Sequence, residues 1–311
     1  MRYLRLERFL GRNAQREIQK AKVAVVGLGA LGSAAVSLLI RMGIKRFLLV
    51  DRDVVEESNL GSQQIYQEKD IGMPKIEAVE NFLKEINNDI EIEAYFEHLD
   101  FENISKIKAD IVLDCTDNLD IRFLLNEYCV KNKIPLVYSA AIKDKGCVFV
   151  VNNGPCLKCI LKDAETSETC ETVGIINTIA NLIASIQVNE AIKVIIGKDY
   201  EKNLLYVSLD DNKIEKIKVG KEKNCNVCNW NFEYLDGKKD VKLTRYCSSG
   251  AYLIKKKFDF EDAKKRLKKL GGKEFKNAVL FDKITLFKNA AFIKAKDEKE
   301  ALSIYSKYIG N

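Results

Sequence analysis

The sequence contains a single histidine, His98, in 311 residues. Catalytic triads and metal centres that require several histidines are therefore excluded. Long apolar runs are also missing, since no stretch reaches the roughly 18 residues that can span a bilayer. The first 22 residues carry charges throughout, so we expect no secretory signal. These absences predict a cytoplasmic protein without a membrane partner.

Charge of one sign does not dominate the sequence. It has 51 basic and 45 acidic residues, for a net charge of +6, and the basic residues are densest toward the C-terminal end. This density is a hint of an acidic partner surface, but a solvated, lysine-rich exterior explains it more simply. We expect no nucleic-acid partner. Internal repeats and low-complexity tracts are absent as well.

Nine cysteines are present. In a reducing compartment, metal binding or catalysis is a better expectation for them than disulfides. Four of them form two C-x-x-C pairs, Cys156 with Cys159 in "GPCLKCI" and Cys225 with Cys228 in "NCNVCN". One such pair alone could be a redox dithiol. Two pairs without histidine, each beside turn residues, favour a closed four-thiolate zinc site that joins distant segments.

Strand-like and helix-like segments alternate from Lys22 as far as "IPLVYSA". This alternation predicts a Rossmann-like, doubly wound α/β fold with a mostly parallel sheet. After Lys145, "GCVFVVNN" and "LLYVSLDDNKIEKIKV" predict an antiparallel extension of that sheet. The apolar stretch "GIINTIANLIASIQVNEAIKVIIG" lies between them, and we expect it to be a helix buried in the core or in a dimer interface.

Composition changes near Leu235–Asp240, "LDGKKD", which predicts a domain boundary. We expect one domain over residues 1–236 and a small C-terminal α+β module over residues 240–311, in the order strand, helix, hairpin, helix. No motif in this module indicates a function.

The segment "VVGLGALG" places three glycines in G-x-G-x-x-G spacing between a strand and a helix. Gly27 permits a tight turn, Gly29 lets backbone amides approach phosphate, and Gly32 lets the helix pack on the strand. Asp51, at the end of the next strand, is suited to ribose hydroxyls. An adenine nucleotide is therefore expected. The loop alone does not separate a nicotinamide dehydrogenase from an ATP-using enzyme, and a tight turn without a ligand is the plainest alternative.

Polar residues after the next strands favour the ATP-using enzyme. An ammonium at a helix start suits phosphate, and a carboxylate at the C-terminal edge of a parallel sheet suits magnesium. A hydride-transfer enzyme needs neither, whereas an enzyme that cleaves a triphosphate needs both. The residues concerned are Asn59, Gln63 and Gln64 in "ESNLGSQQ", Lys75 in "GMPK", and Asp114, Asp117 and Asn118 in "LDCTDN".

The other five cysteines have simpler interpretations. Cys115, Cys129 and Cys147 lie in or beside predicted core elements and are expected to be buried small hydrophobes. Cys247 has no assigned role. Cys170, in the polar stretch "ETSETCETVG", could form a thioester or persulfide with an activated acyl group.

Taken in order, these motifs resemble the MoeB/ThiF/HesA family of adenylyltransferases, relatives of the ubiquitin-activating enzymes. The resemblance covers roughly residues 1–232. It rests on "RYLR", "GLGALG", "DRDVVEESNL", "GMPK", "LDCTDN", "PCLKC", "TCETVG" and "CNVC". Such enzymes use ATP and Mg²⁺ to adenylate the C-terminal glycine of a small ubiquitin-like or sulfur-carrier protein. They are commonly homodimers with structural zinc, so the resemblance implies ATP, Mg²⁺, Zn²⁺ and a partner ending in Gly-Gly.

The resemblance also implies roles for single residues. Arg5 matches an arginine that reaches into the neighbouring protomer's active site. Cys170 matches a loop cysteine that some members use for covalent sulfur or acyl transfer and others do not need. The nucleotide positions are Asp51 for the ribose, Gly29 for the phosphates, Asn59, Gln63 and Lys75 for the triphosphate, and Asp117 for magnesium.

The chain departs from the family pattern at Ser62. The family reads S-N-L-x-R-Q, with an arginine at the phosphates, whereas this chain reads "SNLGSQ". Serine can donate a hydrogen bond but cannot neutralise charge. Loss of such a donor costs about 10²–10³-fold in rate if nothing replaces it. Arg52, Arg12 or a basic group of a partner could compensate.

Adenylation of a carrier protein for sulfur transfer, in cofactor biosynthesis or tRNA thiolation, is the leading expectation. A small-molecule carboxylate is an alternative substrate, since Ser62 and the C-terminal module both leave room for it. A nucleotide-binding scaffold without catalysis and a nicotinamide dehydrogenase are further alternatives. In position, the C-terminal module is similar to the docking domains of some activating enzymes.

Overall fold

The computed structural model divides the chain into two compact units. The first contains Met1–Tyr95 and Leu99–Lys238, and the second contains Phe96–His98 and Lys239–Asn311. The residues that the structure describes are 2–161, 173–239, 243–246, 250–275 and 278–310, with side chains described for all of these except 243–246.

The first unit contains an eight-stranded sheet in the order β3-β2-β1-β4-β5-β6-β7-β8. Its strands are β1 (Lys22–Val26), β2 (Arg46–Asp51), β3 (Glu91–Phe96), β4 (Ile111–Asp114), β5 (Leu136–Ile142), β6 (Lys145–Val151), β7 (Leu204–Ser208) and β8 (Lys213–Ile217). Its helices are α1 (Leu4–Leu10), α2 (Arg12–Lys20), α3 (Ala30–Met42), α4 (Lys75–Ile86), α5 (Leu119–Asn132), α6 (Leu157–Leu161) and α7 (Asn177–Ile195).

The sheet is parallel in one half and antiparallel in the other. Strand β1 pairs in parallel with β2 and β4, and β4 pairs in parallel with β5. The strands from β5 to β8 pair in antiparallel fashion. The expected doubly wound sheet with an antiparallel extension is therefore confirmed.

The parallel strands end together at one edge. Val26, the last residue of β1, lies opposite Val50 of β2 and Asp114 of β4. The chain moves outward from β1 through β2 to β3 and then returns to place β4 on the other side of β1. This reversal creates the crevice at which open α/β sheets bind ligands.

Burial on both faces explains why the central strands are continuously apolar. Val23, Ala24 and Val25 of β1 are completely buried. One face of the sheet packs in a common core with α5, and α7 contacts β4, β5 and β6 and packs against α3. The apolar stretch expected to be a buried helix is thus α7, whose Ile179, Ile183 and other inward residues are buried.

The second unit is a six-stranded antiparallel sheet in the order β11-β12-β13-β14-β10-β9, with two helices. Its elements are β9 (Leu243–Tyr246), β10 (Ala251–Ile254), α8 (Phe260–Lys269), β11 (Lys273–Phe275), β12 (Ala278–Phe281), β13 (Ile284–Phe287), β14 (Ala291–Lys294) and α9 (Glu298–Tyr308). An α+β module was expected, and the structure adds strands to the expected order.

Local sequence explains the ends of the two helices. Asp259 and Asp297 cap α8 and α9 by accepting hydrogen bonds from the backbone N–H three residues on. Tyr305 of α9 is buried in the core that both helices share with the sheet. Among the helices of the described residues, none has the length and apolarity that crossing a bilayer requires.

Candidate active site and four-cysteine cluster

Two of the three glycines in the loop after β1 have no room for a side chain. Gly27 has a φ of +87°, and a Cβ there would lie 2.7 Å from the Cys115 carbonyl oxygen. A Cβ on Gly32 would lie 1.9 Å from the carbonyl oxygen of Gly27. The loop and the first turn of α3 are therefore in backbone contact, as G-x-G-x-x-G spacing predicts.

Gly29 has a different environment. It is the N-cap residue of α3, no side chain caps the helix there, and a Cβ on Gly29 would meet no atom within 4 Å. The backbone N–H groups of the first turn are thus open to an external acceptor, and the helix dipole favours an anion at this end. This geometry fits a phosphate group.

Asp51 is tied to the glycine loop by backbone hydrogen bonds. Its carboxylate accepts from the N–H of Leu28 at 2.6 Å and from the N–H of Asp53 at 2.7 Å. Burial, together with the charge of Asp53, raises the pKa of Asp51 to about 6. Tyr66 secures the same loop by donating its hydroxyl to the Leu28 carbonyl at 2.7 Å. Asp51 therefore lies at the loop, where an acceptor for ribose was expected.

Lys75 begins α4 with a side chain that is only 7% exposed, and its Nζ lies 3.5 Å from Oδ2 of Asp53. Burial alone would lower the pKa of Lys75, but the negative charges of Asp53, Asp51 and Asp117 outweigh the effect of burial. The pKa of Lys75 is therefore raised. Lys75, Asp51 and Asp117 are thus close enough to interact electrostatically, and their roles toward a nucleotide and a metal ion stay predictions. The neighbouring Asp53 was not among the predicted site residues. Its position in "DRD", two residues after Asp51, could have indicated that it lies at the same site.

Asn59 and Gln63 lie on the segment between β2 and α4. Asn59 ends a 3-10 turn, and its Oδ1 accepts the N–H of Glu56 at 3.0 Å. Gln63 is 9% exposed, and its buried Oε1 has no hydrogen-bond partner among the described residues. Ser62 is partly buried, and its N–H donates to the Asn59 carbonyl at 3.1 Å.

The turn after β4 carries the predicted magnesium ligand. Asp114 is fully buried, and its Oδ1 accepts from the N–H of Thr116 at 2.9 Å and from the Thr116 hydroxyl at 2.7 Å. Asn118 caps α5 by accepting the Ile121 N–H at 3.0 Å. Asp117, between them, is exposed and forms no hydrogen bond with a described residue. One accessible carboxylate fits Mg²⁺, which commonly takes one or two carboxylates and completes its shell with water and substrate phosphates.

Two further residues, Arg5 and Cys170, were predicted to be catalytic. Arg5 is exposed on α1, a helix that buries no residue, and it forms no ion pair with a described residue. The nearby Tyr3 donates its hydroxyl to the Ile40 carbonyl at 3.4 Å, which places the start of α1 at the end of α3 that is opposite the glycine loop. Cys170 lies outside the described residues. Cys115 and Cys129 are buried as expected, whereas Cys147 is only partly buried.

The four paired cysteines form one cluster. The Sγ atoms of Cys156 and Cys225 are 3.5 Å apart, those of Cys159 and Cys228 are 3.6 Å apart, and all four lie within 4.8 Å of one another. A tetrahedral zinc with Zn–S bonds of ~2.3 Å places its sulfurs ~3.8 Å apart. The cluster fits zinc and leaves no open position for a substrate.

Helix α5 holds both segments that supply the cysteines. Asn126 accepts the N–H of Leu157 at 2.8 Å, next to the first pair. Glu127 accepts the N–H of Glu233 at 3.1 Å and that of Leu235 at 2.8 Å, just after the second pair. Helix α5, which follows the Asp117 turn, therefore contacts both of the distant segments that the cluster joins.

The fold and these residues define a class of protein, a Rossmann-like α/β protein with a glycine loop at the switch point of its sheet and a four-cysteine cluster. The sequence profile of the ThiF family matches residues 2–229. The chain belongs to the ThiF family, which confirms the resemblance stated from its motifs.

Curated relatives agree with this assignment. The chain is 32% identical over 333 residues to the sulfur carrier protein ThiS adenylyltransferase of Bacillus subtilis, covering 99% of each chain. It is 33% identical over 227 residues to the SAMP-activating enzyme E1 of Haloferax volcanii, covering 70% of this chain and 84% of that one. It is 34% identical over 224 residues to the molybdopterin-synthase adenylyltransferase of Escherichia coli, covering 70% and 90%. The expected enzyme class, an adenylyltransferase, is confirmed.

Solved structures support the fold. The crystal structure of E. coli MccB with ATP has a TM-score of 0.65 and 23% identity, and the match covers 74% of this chain and 75% of that one. At this identity the likeness concerns the architecture.

Proposed function

We propose that this enzyme uses ATP and Mg²⁺ to adenylate the C-terminal glycine carboxylate of a small ubiquitin-like or sulfur-carrier protein, releasing pyrophosphate. The observation that carries the proposal is the gathering of Lys75, Asp51 and Asp117 around the crevice beside the open N-terminus of α3. This set offers a cation and helix amides to phosphates, an acceptor to ribose, and a carboxylate to a metal ion.

The chemistry requires little proton transfer. A carboxylate is a poor electrophile, and attack of its oxygen on the α-phosphate of ATP forms a mixed anhydride while the bond to pyrophosphate breaks. The attacking group is already ionised, so no general base is needed, which suits a chain with one histidine. Bound Mg²⁺ would neutralise charge on the phosphates. In this proposal Asp117 holds that ion, and Asn59, Gln63 and the backbone at Gly29 orient the triphosphate.

Lys75 has the central role in this mechanism. Its ammonium is buried among carboxylates, so it stays charged and its position is restricted. When a triphosphate enters the crevice, Lys75 exchanges part of its interaction with Asp53 for phosphate oxygens. Charge that accumulates on the departing pyrophosphate is then met by a cation already in place, which lowers the barrier without reorganisation.

A sulfur carrier of the ThiS type is the favoured substrate. The relative that acts on ThiS matches 99% of this chain, including the second unit, whereas the Haloferax and E. coli relatives match about 70%. The second unit is thus a feature shared with a ThiS adenylyltransferase, and we propose that it docks a partner. Sulfur transfer in cofactor biosynthesis or tRNA thiolation is the proposed setting.

Further proposals concern helix α1, Cys170, the four-cysteine cluster and the cellular location. The exposed α1 presents Arg5 with Leu4 (43% exposed) and Phe9 (83% exposed), and these apolar side chains suit a homodimer in which Arg5 serves the partner's crevice. Cys170 is proposed as an acceptor of the activated acyl group. We propose that the four-cysteine cluster binds a structural zinc ion. We also propose a cytoplasmic location, which agrees with the absence of disulfide bonds among the seven described cysteines.

Exchange of labelled pyrophosphate into ATP tests the proposed function. The assay contains Mg²⁺ and a ThiS-type carrier ending in Gly-Gly, with the same carrier lacking its last glycine as the control. Exchange only with the intact carrier is the expected result. Exchange with small carboxylic acids alone would instead support a small-molecule substrate, and nucleotide binding without any exchange would indicate a scaffold.

Cys170→Ala separates activation from onward transfer. If Cys170 accepts the acyl group as a thioester, with AMP as the leaving group, exchange stays intact in the variant while transfer of the acyl group from the adenylate to sulfur is lost. Unchanged transfer in this variant would remove the covalent role from the proposal. Cys247→Ala is the control, because no role is assigned to that cysteine.

A further inference from the structure

The turn that carries Asp117 is held by an arginine that the sequence motifs do not include. Arg122 lies in the first turn of α5, and its guanidinium faces back toward the end of β4. Its Nε donates to the carbonyl oxygen of Thr116 at 3.1 Å, and its Nη2 donates to the same oxygen. Thr116 is the residue directly before Asp117, so this double contact acts on the peptide group that links the two.

The rest of the turn is anchored through other atoms. The Asp114 carboxylate accepts from the N–H and hydroxyl of Thr116. The Asp114 carbonyl accepts from the Ser139 hydroxyl at 3.1 Å and from Nε2 of Gln187 at 3.0 Å. These bonds hold the strand end and the N–H side of Thr116. Within the part of the chain that the structure describes, Arg122 is the group that holds the carbonyl side.

Arg122 is itself restrained. Its guanidinium lies over the Tyr138 ring, 5.3 Å from the centroid, on the neighbouring strand β5. Burial alone would lower the pKa of Arg122, but interactions with Tyr138, Asp114 and Asp117 outweigh burial. The net effect raises the pKa above its ordinary value, so the guanidinium is always charged. A rigid, planar cation that donates twice to one oxygen fixes an orientation better than a flexible ammonium does.

We propose that Arg122 is a positioning residue, which by holding the Thr116 carbonyl keeps the Asp117 carboxylate directed into the crevice for Mg²⁺ bound with ATP. The proposal rests on the proposed function for the identity of the ion and the nucleotide. It adds a residue, since Arg122 acts on the metal through Asp117 and need not touch the nucleotide. Partners of metal ligands typically change metal affinity by about 10–100-fold when they are removed.

Magnesium dependence of nucleotide binding tests the proposal without requiring an acyl substrate. The affinity of a non-hydrolysable ATP analogue is measured by calorimetry as Mg²⁺ is varied, in the unaltered chain, in Arg122→Gln and in Arg122→Lys. Adenosine, which has no phosphate to hold the ion, is measured in parallel. Lys131→Gln is the matched control, because it removes an exposed cation from the far end of the same helix.

We expect Arg122→Gln to raise the Mg²⁺ concentration at half-maximal enhancement by about 10-fold or more while leaving adenosine affinity within about twofold. Arg122→Lys should recover much of the loss, since an ammonium can still donate to the carbonyl. Lys131→Gln should match the unaltered chain. Melting temperature, measured for all variants, establishes that each is folded.

Three results would overturn the proposal. The first is an unchanged Mg²⁺ requirement in folded Arg122→Gln. The second is a loss of adenosine affinity in Arg122→Gln as large as its loss of affinity for the ATP analogue. The third is that the unaltered chain binds the ATP analogue equally well without Mg²⁺. Failure of the proposed function has a different signature, because binding would still depend on Mg²⁺ while no acid supports pyrophosphate exchange.

Discussion

Lys75 and Asp53 form an ion pair, with Nζ 3.5 Å from Oδ2, in which the lysine side chain is 7% exposed and the aspartate side chain 42% exposed. Asp51 and Asp117 contribute further negative charge at the same ammonium. The site thus holds its cation in place with three carboxylates that repel one another.

The first prediction concerns Lys75. Lys75→Met keeps most of the apolar stem and removes the charge, so we expect pyrophosphate exchange to fall by about 10²–10³-fold. Lys69→Met, which alters an exposed lysine on the preceding segment, is the control and should change exchange by less than about twofold. Exchange that survives intact in folded Lys75→Met would show that this ammonium does not meet the phosphates.

The second prediction uses two glycines of the same loop. Gly32→Ala forces a methyl group against the Gly27 carbonyl, and we expect it to lower the free energy of unfolding by more than about 2 kcal/mol. Gly29→Ala meets open space, so it should cost less than about 1 kcal/mol of stability but weaken ATP binding by about 10-fold, because the methyl group projects where phosphate approaches. Chemical denaturation and calorimetry measure the two effects. Equal losses of stability in both variants would contradict this assignment of roles.

The third prediction is a pH dependence that arises from Asp51. Its pKa is raised from 3.8 to about 6 in the free protein, and the ionised form accepts hydrogen bonds from ribose. Affinity for the nucleoside should therefore be complete above that pKa and fall as the pH drops through about 6. Adenosine is the suitable probe because it has no phosphate that titrates in this range. Asp51→Asn should bind adenosine weakly and without this dependence, whereas a steep dependence retained in Asp51→Asn would assign the titration to another group.

The fourth prediction concerns the four-cysteine cluster. One zinc ion per chain should copurify and be lost in Cys156→Ser and in Cys225→Ser, because three thiolates leave the tetrahedron incomplete. Loss of the ion should lower the melting temperature by about 5 °C or more, since binding to the folded state stabilises it. Cys129→Ala, a buried cysteine outside the cluster, should keep its zinc. Full zinc content in both serine variants, measured by atomic emission, would contradict the assignment.

The sequence predicts the parallel half of the sheet well because β1, β2 and β4 each contain an unbroken run of buried apolar residues and are followed directly by turn residues. Gly27, Asp51 and Asp114 come at the ends of β1, β2 and β4, and parallel strands bring such ends to one edge whatever the details of packing. The cysteine pairs are predictable for a similar reason, since four thiolates without histidine have few other uses in a reducing environment.

Other features depend on contacts that leave no local pattern. Arg122 acts on a backbone carbonyl, and every residue type has one, so no motif marks its acceptor. Gln187 reaches the Asp114 carbonyl across 73 residues of sequence. Phe96 is the last residue of β3 in the first sheet, but it belongs to the second unit. There its ring packs edge-on against Phe275 and Phe287. Such relationships are set by tertiary packing, which the periodicity of a segment does not encode.

Intact mass spectrometry of the carrier protein tests the central claim most directly. A ThiS-type carrier ending in Gly-Gly is mixed with the purified enzyme, ATP and Mg²⁺ in the presence of pyrophosphatase and then quenched in acid. The account predicts a carrier heavier by one adenylyl group, absent without Mg²⁺ and absent with the Lys75→Met enzyme. A carrier that keeps its original mass, from an enzyme that binds ATP and Mg²⁺ under the same conditions, would contradict the account.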